Sequence, residues 1–120
     1  MTVFLSNEKS IGVFDSGLGG LTAVAEIIRI LPSEQIVYFG DTARVPYGTR
    51  GKDTILRYVR EDIEFLKSFD IKAIIMACGT ASSVALPQIE EEYDIPIIGV
   101  VKPASLAAKN ATKNGKKGII

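Results

Sequence analysis

Histidine is absent from all 120 residues. That absence removes a Ser-His-Asp triad, a Cys-His pair and a histidine-based zinc site from within the chain. Cysteine occurs once, as Cys78. A lone cysteine makes no disulfide framework and no thiolate zinc site, and it fits a reducing compartment. Net charge is lacking too, since 14 Lys+Arg balance 14 Asp+Glu. No overall field therefore draws in nucleic acid or an anionic membrane. The apolar runs are too short to span a bilayer, and the stretch from Met1 to Ser10 contains no signal-peptide core. A cytoplasmic protein without nucleic-acid or membrane partners is expected. Acid–base chemistry within the chain is left to Cys78, the carboxylates, the tyrosines and the lysines.

What is present is ordinary globular material: 47% of residues are apolar and 23% charged, enough for one core. Short apolar runs alternate with helical spacing. Residues 11–15, 36–40, 72–77 and 95–101 read as buried strands. Residues 21–31 carry apolar side chains at 21, 24, 25, 28 and 31, which is helical spacing, and Pro32 stops the helix. Asp53 is a candidate cap for a helix running to about Phe69, with Ile55, Leu56, Val59, Ile63 and Leu66 on its inner face. Another helix falls between Thr80 and Tyr93, its start delayed or kinked by Pro87. Pro103 suits the first turn of a last helix through about Lys113, closed by Asn114-Gly115.

Strands that are apolar throughout, separated by amphipathic helices, predict an α/β fold: an open parallel sheet with helices on both faces. Gly115 to Gly118 reads as a turn, and Ile119-Ile120 begins a further apolar run of two residues. Strands typically need about five or six, so the sequence reads as a chain cut inside a later strand. Residues 1–100 are then most of a first α/β domain, and 101–120 the incomplete beginning of a second.

Ligands of open α/β sheets bind beyond the carboxyl ends of the strands. Those ends carry Asp15-Ser16 and the glycines Gly17, Gly19 and Gly20, then the 41–51 loop with Tyr47-Gly48, then Cys78-Gly79-Thr80, then Lys102. The glycine cluster does not fit a dinucleotide fingerprint, because Thr22 stands where the third glycine belongs, and no Walker lysine follows. It reads equally as a tight turn or as an anion cradle at a helix start. The Asp15-Ser16 pair reads as a helix cap or a contact to ligand. Cys78 reads as a small buried side chain or, between a strand end and a helix start, as a thiolate base or nucleophile. The 41–51 loop is long for a strand-to-helix connection, which favours function. Tyr47 and Gly48 could set a phenol and a backbone amide over a ligand, or form a turn packed on the surface. Lys102 reads as a solvated lysine.

Four segments together resemble glutamate racemases in order and spacing: Gly12-Val-Phe-Asp-Ser-Gly-Leu-Gly-Gly-Leu21, Tyr38-Phe-Gly-Asp-Thr-Ala-Arg-Val-Pro-Tyr-Gly48, Ala77-Cys-Gly-Thr-Ala-Ser82 and Asp94-Ile-Pro-Ile-Ile-Gly-Val100. The resemblance implies inversion of glutamate at Cα by two thiols on opposite faces, without cofactor or metal, supplying D-glutamate for peptidoglycan. Cys78 then resembles the amino-terminal catalytic thiol and Asp15 its assistant. Asp15, Ser16, Tyr47, Gly48, Gly79 and Thr80 resemble the substrate-contacting residues. Glutamate is the implied partner, and a homodimer stays open. One departure is Gly79, where the family usually carries asparagine. Another is the second thiol, which in the family lies well beyond residue 120. Two rival readings remain: an aspartate or other amino-acid racemase of the same superfamily, and a non-catalytic module binding a carboxylate or phosphate at the glycine-rich turn.

Overall fold

The computed structural model describes residues 9–116 and 118. Four strands form one sheet: β1 (Ser10–Asp15), β2 (Ile36–Gly40), β3 (Ile71–Met76) and β4 (Ile97–Gly99). All neighbours pair in parallel, in the order β2-β1-β3-β4. The connections are α1 (Leu21–Ile30), α2 (Lys52–Lys67), the short pair α3 (Gly79–Val84) and α4 (Leu86–Ile89), and α5 (Val101–Ala111) after β4. From β1 the chain steps outward to β2, then crosses back over β1 to reach β3. Right-handed crossovers consequently set α1 on one face of the sheet and α2, α3 and α4 on the other.

The core lies between the sheet and α2. Phe14, Ile74, Met76 and Ile97 meet Ile55, Leu56, Val59, Ile63 and Leu66 there. The five apolar positions predicted for the inner face of α2 are all buried, and Asp62 is buried with them. Helix α2 begins at Lys52 with Gly51 as its cap, so Asp53 is not the cap residue. It sits in the first turn, where its charge still complements the helix dipole.

Helix α1 forms where its spacing predicts it, ending at Ile30. Ala23, Val24 and Ile27 are half-buried, whereas Leu21, Ile28 and Leu31 are exposed. Its polar residues Thr22, Glu26 and Arg29 recur at helical spacing and are exposed, so the half-buried side chains lie on the opposite, apolar side. The fourth strand is shorter than expected, three residues rather than seven. Val100 already has right-handed helical dihedrals and caps α5, which begins at Val101 and puts Pro103 in its first turn. The helix ends at Ala111, and Gly115 takes a positive φ of 73° in the turn beyond. The helix expected between 80 and 93 is split in two, with Pro87 in the first turn of α4, where its missing N–H costs nothing. Ile119-Ile120, the expected start of a fifth strand, lies outside the described residues.

Asp70, in the turn between α2 and β3, has a φ of 57°. A β-branched side chain in this left-handed region is strained by about 1–2 kcal/mol, whereas glycine adopts it freely. Asp70→Val is therefore expected to lower stability by about that amount, and Asp70→Gly to preserve it. Urea unfolding of the two variants beside wild type checks the difference.

Candidate active site

A parallel sheet ordered β2-β1-β3-β4 has its topological switch point between β1 and β3. The chain leaves the carboxyl end of β1 toward one side and that of β3 toward the other, opening a crevice. β1 delivers Asp15 and Ser16 to this crevice, and β3 delivers Cys78. The Cys78 thiol lies 3.6 Å from Ser16 Oγ, joining segments 62 residues apart in sequence.

Backbone hydrogen bonds hold the strand ends together. The Asp41 N–H donates to Asp15 O at 2.9 Å, and the Ala77 N–H donates to Phe14 O at 2.8 Å. Ser82 Oγ donates to Met76 O and accepts from the Val100 N–H, linking the ends of β3 and β4. Cys78 caps α3, its Sγ accepting from the Ala81 N–H at 3.4 Å. Cysteine here takes the place of the usual serine or aspartate cap. The side chain is buried, as the bland reading required, yet its sulfur faces Ser16 at the crevice.

Asp15 is engaged locally. Its Oδ1 accepts from the Ser16 N–H and its Oδ2 from the Gly20 N–H, both at 2.8 Å. The carboxylate thereby folds the glycine-rich turn around itself. Gly20 is required for that turn, since a Cβ there would stand 2.8 Å from Asp15 Cβ. Tyr38 Oη fixes the same turn by donating to Gly17 O at 2.8 Å. At Gly40 a Cβ would lie 2.5 Å from Gly17 O, so β2 and the glycine turn can approach only through a bare backbone.

Tyr47 departs from both readings of its loop. Its phenol is neither held over the crevice nor packed on the surface, but is 1% exposed. The hydroxyl contacts Asp41 and lies 2.6 Å from Asp62 Oδ2. Burial, reinforced by these two carboxylates, pushes the phenol far above its ordinary pKa. Tyr47 is thus a fixed donor and no candidate base. What the loop presents is backbone: Gly48 is exposed, and a Cβ on it would be 3.5 Å from Thr80 Oγ1. Tyr47-Gly48 and Gly79-Thr80 are therefore neighbours. Gly79 is exposed, and a side chain there would meet nothing within 4 Å. Neither crowding nor positive φ demands a glycine at that position. Lys102 is exposed on α5.

The sequence reading set Asp41 at a strand end without a role and did not single out Arg44 or Asp62. Asp41 and Asp62 flank the Tyr47 hydroxyl, and Arg44 bonds both carboxylates. A signal existed, because Asp62 is a charged residue inside the apolar stripe of α2, next to Ile63 and three positions from Val59. Among the described residues, no group of three or more His, Cys, Asp or Glu side chains is placed to hold a metal ion. No helix among them is long and apolar enough to cross a membrane.

Fold and rim together define an open parallel α/β domain with a single thiol at its topological switch point. The glutamate racemase of Persephonella marina is 55% identical over 111 residues, covering 92% of this chain and 43% of that protein. The solved glutamate racemase of Aquifex pyrophilus superposes with a TM-score of 0.86 at 47% identity, covering 89% of this chain and 42% of its own. The Francisella tularensis glutamate racemase, solved in complex with D-glutamate, gives 0.79 at 44% identity, covering 86% and 40%. No family model matches. Over most of its length the chain is homologous to glutamate racemases and corresponds to their amino-terminal part. It spans less than half the length of these relatives.

Proposed function

We propose that this chain supplies one half of the active site of a glutamate racemase, with Cys78 as the acid–base group on one face of the substrate Cα. The observation that carries the reading is the placement of the Cys78 sulfur against Ser16 at the switch-point crevice. As a thiolate, Cys78 takes the Cα proton: the C–H bond breaks, an S–H bond forms, and the electron pair passes toward the α-carboxylate. Inversion requires a proton to return from the opposite face. The second thiol that the resemblance implies is not among the 120 residues, so we assign that donor outside this chain, with residues 101–120 proposed to open the second domain.

Ser16, the Gly48 backbone, Gly79 and Thr80 are proposed to hold the substrate. Asp15 is proposed to act by keeping the glycine turn and Ser16 in place beside the thiol. The exposed N–H groups and hydroxyls of this rim suit the carboxylates of glutamate. The product would be D-glutamate for peptidoglycan, made in the cytoplasm without a cofactor.

The full-length protein is expected to interconvert L- and D-glutamate in the presence of a chelator and without added pyridoxal phosphate. Optical rotation of a glutamate solution follows the reaction directly. A requirement for added cofactor, or turnover of aspartate in preference to glutamate, would refute the assignment.

A further inference from the structure

The described residues bury a second cluster of ionisable groups, beneath the loop that carries Tyr47 and Gly48. Asp62 reaches it from α2 and is 1% exposed. Its Oδ1 accepts a hydrogen bond from Arg44 Nη2 at 3.0 Å, and its Oδ2 lies 2.6 Å from Tyr47 Oη. Tyr47 Oη also touches Asp41 Oδ2, and that same oxygen accepts from Arg44 Nε at 2.7 Å. Arg44 in turn contacts Glu61 and stacks over the Tyr58 ring, both on α2. These are the titratable and charged groups that face Asp62, directly or through Arg44.

A proton count decides what this arrangement means. One phenol carries one hydrogen, so it can donate to one carboxylate and only accept from the other. Two ionised carboxylates around a single buried hydroxyl would leave one oxygen pair in close contact without a hydrogen. The cluster is satisfied only when one carboxylate holds a proton. Arg44 bonds both carboxylates and does not choose between them, but Asp62 is the more buried of the two. The consistent chain runs from the Asp62 carboxyl to the Tyr47 oxygen, and from the Tyr47 O–H to Asp41. Burial is the largest cause pushing the Asp62 carboxyl up, to about 7, and the nearby Asp41 charge adds to it, while the Tyr47 and Arg44 contacts oppose the rise.

The geometry points to Asp62 as a positioning residue that carries a proton, latches Tyr47 to Asp41, and thereby holds Gly48 beside Thr80 at the thiol rim. When Asp62 ionises, a second buried negative charge faces Asp41, one Tyr47 contact is lost and Gly48 is released. The kinetic consequence rests on the racemase reading; the proton does not.

The test compares full-length wild type with Asp62→Asn and Asp62→Ala. In wild type, KM for glutamate is expected to rise several-fold as pH passes from 6 to 8.5, beyond any change in kcat. Asp62→Asn keeps an N–H for the Tyr47 oxygen and cannot ionise, so its KM should stay flat across that window. Asp62→Ala should raise KM at both ends. Urea unfolding reads the proton without substrate. The folded-state pKa lies above the ordinary 3.8, so the stabilisation is full below that value and is lost as pH rises toward about 7. Wild type should lose stability relative to Asp62→Asn between pH 4 and 8. Equal KM profiles in wild type and Asp62→Asn, or equal losses of stability, would overturn the latch. A protein that does not racemise glutamate but shows the stability difference would sink the racemase reading and leave the latch standing.

Discussion

Cys78→Ser is expected to abolish glutamate racemisation in the full-length protein while leaving it folded. A serine hydroxyl is too weak an acid to supply its conjugate base near neutral pH, so the proposed proton acceptor disappears. General acid–base groups contribute typically about a hundredfold to ten-thousandfold, and the loss should be at least of that order. The hydrogen bond that Sγ accepts from the Ala81 N–H is one that a serine cap makes equally well, and serine is among the preferred caps. The start of α3 should survive, and stability should change by no more than about 1 kcal/mol. Chiral analysis of glutamate, paired with a urea melt, separates chemistry from folding. Wild-type turnover in this variant would return Cys78 to a buried packing residue.

The 120-residue chain alone is expected not to racemise glutamate, even where it folds. Cys78 reaches one face of Cα, and the chain has no other cysteine and no histidine to serve the second face. Solvent can deliver a proton, but only to an open, wet site, where the negative charge developing on the substrate is poorly stabilised. Loss of general-acid help alone costs roughly a hundredfold to ten-thousandfold, and loss of an enclosing domain adds to it. The measurement is Cα deuterium exchange by NMR beside chiral analysis, using protein verified as monomeric so that two copies of Cys78 cannot share a substrate. D-glutamate formed at a rate near that of the full-length protein would show that one thiol suffices and that the two-thiol mechanism is wrong.

Helix α2 and helix α1 illustrate why some of the fold was legible and some was not. In α2 the apolar residues occupy one stripe against a charged remainder, so the period alone named Ile55, Leu56, Val59, Ile63 and Leu66, and all five are buried. In α1 the polar residues Thr22, Glu26 and Arg29 mark the exposed side, but the period did not tell that among the apolar positions Val24 is half-buried while Leu21, Ile28 and Leu31 are exposed. The fourth strand was overdrawn for a related reason. Residues 95–101 are apolar enough for a strand, but pairing with β3 ends at Gly99, and the chain turns helical at Val100. Local composition says what a segment can do; its neighbours decide where it stops.

By itself the sequence determined the α/β class, the parallel pairing, and the strand ends at which polar residues would gather. These follow from periodicity and from runs of apolar side chains, which are local properties. It also bounded the chemistry, because a chain with one cysteine and no histidine has few acid–base groups to offer. The tertiary structure alone decided the strand order, and with it the switch point that brings Cys78 against Ser16 across 62 residues. It alone turned the Tyr47 phenol inward to Asp41 and Asp62 and left the Gly48 backbone at the rim. A hydroxyl is drawn to whichever buried acceptors the packing supplies, and α2 and the end of β2 meet beneath the loop only once the sheet has formed.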